Sequence, residues 1–169
     1  MAISAHERKS LQPTSEWLTP PEILKDLGPF DLDPCAPIAR PWDTATRHFT
    51  INDNGLVMEW AGLVWLNPPY GSETGKWLKK LAQHGNGIAL IFARTETRMF
   101  FQHVWPKASA VYFIEGRLFF HCVNGGRSTN NAGAPSVLIA YGPTAVERLR
   151  QSKIRGKFIA LQGRIDNAI

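Results

Sequence analysis

Leu63-Val64-Trp65-Leu66-Asn67-Pro68-Pro69-Tyr70-Gly71 is the stretch on which the fold turns. Its first four residues are apolar without alternation, the pattern of a strand covered on both faces, as in a parallel sheet. Asn67 ends the run. Pro68 and Pro69 then fix two successive φ angles and remove two N–H donors, so the chain leaves the sheet along a stiff path. In open α/β sheets the ligand sits beyond the carboxyl ends of the strands, and Asn67 is placed at such an end.

Downstream, Trp77, Leu78 and Leu81 form a helical stripe with Lys76, Lys79 and Lys80 near its other side, closed by Gly85 and Gly87. Residues 88–93 make a second unbroken apolar run. A helix is expected around 97–105 and a strand over 110–114. Glu115-Gly116 reads as a turn into a hairpin partner, Arg117-Leu118-Phe119-Phe120. A Gly/Asn-rich loop spans 123–135, and 136–141 is a last strand. Thr144 and Glu147 have the spacing of a capping box for a basic terminal helix.

Upstream, Thr19-Pro20-Pro21-Glu22 opens a short helix, with Thr19 as cap and Glu22 completing the box. Gly28 ends it. Residues 30–33 form a short strand that stops at Pro34, and 34–62 is irregular. Residues 1–15 read as a polar lead-in, leaving 16–169 as one domain. Strand and helix alternate through the middle and strands cluster late. That order predicts an α/β fold with a mainly parallel sheet and a late antiparallel hairpin.

The composition sets bounds on function. In 169 residues, 44% are hydrophobic and 20% charged, which suits a globular chain. No apolar run is long enough to cross a membrane, and the first residues lack the charged start and apolar stretch of a secretory signal, so a cytoplasmic protein is expected. Cys35 and Cys122 are the only cysteines and form no Cys-x-x-Cys pair. That excludes a disulfide framework, and no metal site is expected. The formal charge of +5, with pI ≈ 9.5, favours a polyanionic partner. Arg148, Arg150, Lys153, Arg155, Lys157 and Arg164 crowd the final segment, which equally fits a solvated helix face and tail.

The chemistry legible in Asn67-Pro68-Pro69-Tyr70 is that of an amine cradle. A side-chain amide and a backbone carbonyl on one rigid turn can both accept from a single NH₂ group and aim its lone pair outward. Tyr70 adds a flat face on which an extruded base can stack. Without its context the same tetrapeptide also fits a rigid turn with a capping Asn.

Five ordered segments carry a resemblance to the compact phage-encoded Dam-type DNA N6-adenine methyltransferases. They are Glu16-Trp17-Leu18-Thr19-Pro20, residues 30–36, Trp65-Leu66-Asn67-Pro68-Pro69-Tyr70-Gly71, Ala93-Arg94-Thr95-Glu96-Thr97 and residues 115–120. The resemblance implies a Rossmann-like methyltransferase fold, reduced relative to full-sized enzymes. It also implies S-adenosyl-L-methionine as cofactor and double-stranded DNA as partner, in the host cytoplasm if phage-encoded. Asn67, Pro68, Pro69 and Tyr70 are then the catalytic group. Trp17, Thr19 and Pro20 would touch the methionine end of the cofactor, together with Asp31 and the loop Asp33, Pro34, Cys35 and Ala36. Where that loop usually carries Gly-x-Gly, this chain has Ala36-Pro37-Ile38-Ala39.

Asp53 is a candidate for the cofactor adenine, and equally a turn residue before Gly55. Arg94, Arg98, Arg117 and Arg127 are candidates for DNA phosphate or for structural ion pairs. The loop 123–135, with Asn124, Asn130 and Asn131, is a candidate for reading bases. The alternatives left open are a silent DNA-binding module of the same fold, and an enzyme acting on cytosine or protein glutamine. The DNA sequence recognised, with GATC suggested by the family alone, is also open, as is a monomeric or homodimeric state.

Overall fold

A computed structural model describes residues 17–161, so the lead-in expected at 1–15, Glu16 and Arg164 lie outside the described residues. In chain order the elements are α1 (Pro21–Leu27), β1 (Leu32–Asp33), β2 (Arg47–His48), β3 (Val64–Leu66), α2 (Thr74–His84) and β4 (Gly87–Phe92). A π-helical turn (Phe100–Val104), β5 (Ala110–Ile114), β6 (Ser136–Tyr141), α3 (Pro143–Arg150) and β7 (Gly156–Ala160) follow. The strands form one seven-stranded sheet in the order β2-β1-β3-β4-β6-β5-β7.

The apolar run read as a doubly covered strand is β3, whose three residues are all buried. Its side chains alternate between two cores, one on each face of the sheet. Trp65 joins Ile23, Leu27, Ile88, Leu90 and Leu149 on the face covered by α1 and α3. Val64 and Leu66 join Trp77, Leu78, Leu81, Ile91 and Phe100 under α2 and the π-helical turn. Phe30 packs on Trp65 with ring centroids 5.2 Å apart. Helices on both faces explain why β3, β4 and β6 lack polar alternation.

The sheet is more mixed than the sequence suggests. β2-β1, β1-β3 and β3-β4 are parallel, whereas β4-β6, β6-β5 and β5-β7 are antiparallel. The expected hairpin between β5 and 117–120 does not form. β5 already has β6 on one side and β7 on the other, so Gly116 (φ 76°) turns the chain out of the sheet. Residues 117–121 instead cross the carboxyl edge, where His121 bridges Leu18 and Arg127.

Both expected capping boxes are also absent. The N-cap positions are Pro20 and Gly142, with no side-chain cap at either helix. At α1 the proline at the first helical position has no N–H to satisfy. Thr19 is buried, and its hydroxyl has no hydrogen-bond partner among the described residues.

The basic final segment, expected as a helix and tail, contains β7. This edge strand is mostly exposed, which is why no apolar pattern announces it. Gly156 is required there, because a Cβ would collide with the Phe113 carbonyl. Several of the basic residues have structural partners: Arg155 pairs with Glu115 at 3.0 Å, and Arg148 donates to the carbonyls of Leu27 (2.8 Å) and Gly28 at the end of α1. Hydrogen bonds from a charged donor to otherwise orphaned helix-end carbonyls are worth about 1.5–3 kcal/mol. Arg148→Ala is therefore expected to lower the unfolding free energy by about 2 kcal/mol in urea titration, with DNA affinity at fixed salt unchanged. A loss of DNA affinity without loss of stability would contradict this assignment.

Among the described residues no helix is long and apolar enough to cross a membrane, and no group of three His, Cys, Asp or Glu side chains can hold a metal. Cys35 and Cys122 are free thiols.

Candidate active site

β1 and β3 run parallel, so their carboxyl ends open on the same edge. The loop after β1 and the Asn67-Pro68-Pro69-Tyr70 turn after β3 face each other there. The Cys35 thiol donates to the Asn67 carbonyl at 3.2 Å and ties them together. Between them lies a cavity of about 560 Å³ lined by Trp17, Cys35, Ile51, Asn54, Asn67 and Trp77, among others. That is within the roughly 300–1,000 Å³ of small-molecule sites. A second cavity of about 560 Å³ lies beside it, under the loop 118–133, lined by Phe92, Phe120, Arg127, Asn130 and Asn131. Trp17 and Tyr70 border both cavities.

The partition between them is rigidly held. Pro68 is buried. The Thr74 hydroxyl at the start of α2 donates to the Pro69 carbonyl at 2.6 Å and accepts from the Gly71 N–H at 3.0 Å. The Asn67 side chain is engaged at both ends. Its amide nitrogen donates to the Trp17 carbonyl at 3.2 Å, and its oxygen accepts from the Tyr70 hydroxyl at 3.3 Å. These bonds orient the amide with its oxygen toward Tyr70. The Tyr70 ring stacks on Phe92, with centroids 4.3 Å apart and planes within 11°. Burial raises the Tyr70 hydroxyl pKa well above its ordinary value, so it remains a neutral donor.

Asp33 is 3% exposed and stands behind Pro34 and Cys35. Its carboxylate accepts from the Thr44 hydroxyl at 2.5 Å and from the Cys35 N–H at 3.1 Å, so it orders the loop that lines the first cavity. Burial pushes its pKa up to about 6, against the lowering effect of Thr44, Cys35 and Arg40. Asp31 points elsewhere: its carboxylate accepts from the Leu63 N–H at 2.6 Å and lies against Gly62, outside the lining of either cavity.

Asp53 closes its own turn, accepting from the N–H and hydroxyl of Thr50 at 2.8 and 3.1 Å. It is the neighbours of Asp53 (Thr50, Ile51, Asn54 and Gly55) that line the cavity. Gly55 lets this segment pack directly on the loop after β1. A Cβ there would collide with the Pro34 carbonyl and stand 3.2 Å from Trp77. Trp60 anchors this segment through a 2.8 Å bond from its indole N–H to the Gly55 carbonyl, and stacks on Trp77.

The four arginines are divided. Arg127 lines the second cavity, with its guanidinium 4.3 Å from the centre of the Phe119 ring. Arg117 donates to the Gly133 carbonyl at 3.1 Å, bracing the same loop. Arg94 and Arg98 are exposed beyond the end of β4. Pro20 precedes α1, two residues after Leu18 bridges His121. The sequence does not single out Phe92, Thr50, Asn54, Trp77 or Phe120 as site residues. Phe92 had a usable signal, since it ends an apolar strand as Asn67 follows one.

No match is found among curated proteins or solved structures. The family model described as DNA N-6-adenine-methyltransferase (Dam) matches residues 7–157, nearly the whole chain. With that coverage, and with an Asn-Pro-Pro-Tyr turn set between two cavities at the carboxyl edge of an α/β sheet, the chain belongs to the DNA N-6-adenine-methyltransferase (Dam) family.

Proposed function

We propose that the protein transfers a methyl group from S-adenosylmethionine to the exocyclic amine of an adenine turned out of double-stranded DNA. The observation that carries this reading is the pair of cavities sharing Trp17 and Tyr70, with Asn67 in the wall of the first and bonded to Tyr70. A donor and an acceptor seated on opposite sides of one partition satisfy the proximity that a direct transfer requires.

The first cavity suits the cofactor. Its size and largely aromatic and aliphatic walls accept an adenine ring, and Thr50 and Asn54 supply polar contacts. When bound, the cofactor supplies an activated methyl group, so the protein need provide neither metal nor strong base. Its residues hold and orient the amine. Asn67 Oδ1 and the Pro68 carbonyl accept its two hydrogens, which leaves the nitrogen lone pair directed toward the first cavity. In DNA the amine is engaged in a base pair, so the base must leave the stack and enter the second cavity. Arg127 and the amides of Asn124, Asn130 and Asn131 stand where phosphate and base edges would arrive. Arg94 and Arg98 extend a positive rim for the backbone.

Incubation with tritiated S-adenosylmethionine and DNA lacking adenine methylation tests the reading directly. Acid-stable counts in the DNA are expected, and a protein that binds no cofactor by calorimetry would overturn it.

The Asp33 titration gives an independent check. Protonation weakens Asp33 as an acceptor for Cys35 and loosens the cavity loop, so cofactor affinity is expected to fall as pH drops through about 6. Stability moves in the opposite sense. The folded-state pKa is raised from 3.8 to about 6, so folding is favoured below the unfolded value, and that contribution is lost as pH rises to about 6. Asp33→Asn is expected to unfold at a higher temperature than wild type at pH 7, with the difference vanishing near pH 4. A flat pH profile for cofactor binding between 5 and 7 would contradict this role.

A further inference from the structure

We propose that Phe92 is the second face of an aromatic clamp for the target base, and that Tyr70 parked on Phe92 is the gate the base must open. This rests on the reading of the second cavity as the place that receives an extruded adenine. Two observations make the resting arrangement incompatible with a bound base. Tyr70 and Phe92 stack face to face at 4.3 Å, so no ring fits between them. In addition, the Tyr70 hydroxyl occupies Asn67 Oδ1, the acceptor that the substrate amine needs.

Inserting a third ring requires the two centroids to stand about 7 Å apart, two van der Waals gaps. Phe92 cannot supply that movement. It ends β4, is paired with Ser136 of β6, and packs against the core under α1. Tyr70 can. Its ring is partly exposed, and its hydroxyl is held only by long bonds, 3.3 Å to Asn67 and 3.4 Å to the Leu90 carbonyl. The backbone after Tyr70 is fixed, with the Gly71 N–H bonded to Thr74, so the movement is a rotation of the Tyr70 side chain about its own bonds. Displacing Tyr70 frees the Asn67 oxygen and bares both ring faces in one movement. An entering base then regains the stacking and hydrogen bonding that the parked tyrosine gives up. Phe92 thus contacts substrate through its face without taking part in bond making.

The test is steady-state methylation of unmethylated genomic DNA at saturating S-adenosylmethionine, with cofactor affinity measured separately by calorimetry. Phe92→Leu is expected to lower kcat/KM for DNA about tenfold, within what base–aromatic stacking supplies, and to leave cofactor affinity within twofold. Phe92→Tyr restores the face and is expected to recover activity to within threefold. Phe92→Met carries the same expectation as Phe92→Leu should the latter not fold. Tyr70→Phe cannot hold Asn67 and is expected to lower KM for DNA about threefold, the size of one weak neutral hydrogen bond. Phe92→Leu with wild-type kcat/KM, or with cofactor affinity lost in parallel, overturns the clamp, and a raised KM in Tyr70→Phe overturns the gate. A wild-type protein that transfers no label to DNA sinks the functional reading and this inference with it. An active wild type with an indifferent Phe92 sinks the inference alone.

Discussion

Asn67→Ala is expected to lower the rate of methyl transfer by about 10²–10³-fold while leaving cofactor affinity within a few-fold. That is the usual loss when one preorganised group facing a reacting centre is removed. The geometry makes Asn67 more than one acceptor among several. Its amide nitrogen is held by the Trp17 carbonyl, so its oxygen keeps its orientation when the Tyr70 hydroxyl leaves it for the substrate amine. Alanine removes that oxygen and leaves the Trp17 carbonyl without its donor. The backbone path of Pro68 and Pro69 does not depend on the side chain, and Thr74 continues to clamp Pro69. Cofactor binding should therefore survive. Asn67→Asp separates acceptor from orientation: it keeps an oxygen for the amine but faces the Trp17 carbonyl with a second acceptor. Its rate is expected to fall between wild type and Asn67→Ala. Single-turnover kinetics with prebound cofactor measure both variants.

Gly55→Ala should produce the second large effect, on cofactor affinity. A methyl group there collides with the Pro34 carbonyl and presses on Trp77, so the 50–55 segment must move off the loop that follows β1. Trp60 resists that movement through its bond to the Gly55 carbonyl, its stack on Trp77 and the Lys80 ammonium over its ring. Overpacking of this kind costs about 1–3 kcal/mol, which corresponds to about a 5- to 150-fold weaker cofactor complex by calorimetry. Gly133→Ala is the control, since nothing stands within 4 Å of the Cβ it would add. Equal cofactor affinity in Gly55→Ala and wild type would show that the two loops need not meet so closely.

Gly55 also illustrates where the sequence is silent. The missing Gly-x-Gly in residues 36–39 predicts a degraded cofactor loop. What the sequence does not announce is a different close approach, of Gly55 to the Pro34 carbonyl 21 residues away (55 − 34), at a glycine whose own φ is ordinary. Only tertiary contact reveals it. Asp53 stands out because carboxylates do, yet it is spent on Thr50, and the wall is left to its less conspicuous neighbour Asn54.

The legible parts are those fixed by local covalent restraint or by unbroken apolar runs. β3, β4 and β6, the turn at Asn67-Pro68-Pro69-Tyr70, and the left-handed cap of α2 at Gly85 (φ 73°) belong to this class. Strand pairing is not of that kind. Whether β5 takes 117–120 or 156–160 as its neighbour depends on which segment can be spared from the carboxyl edge. Residues 118–133 are needed there to wall the second cavity. The chain between β1 and β3 likewise contributes little to the sheet. β2 is only two residues long, and irregular chain over 49–62 does the work of walling the first cavity.

The most direct measurement is the identity of the methylated nucleoside. DNA lacking adenine methylation, incubated with the protein and S-adenosylmethionine and digested to nucleosides, is resolved by mass spectrometry. N6-methyladenine that is absent from a parallel reaction with Asn67→Ala is the predicted result. Methyl groups on cytosine, or none on DNA in the presence of bound cofactor, would contradict the account.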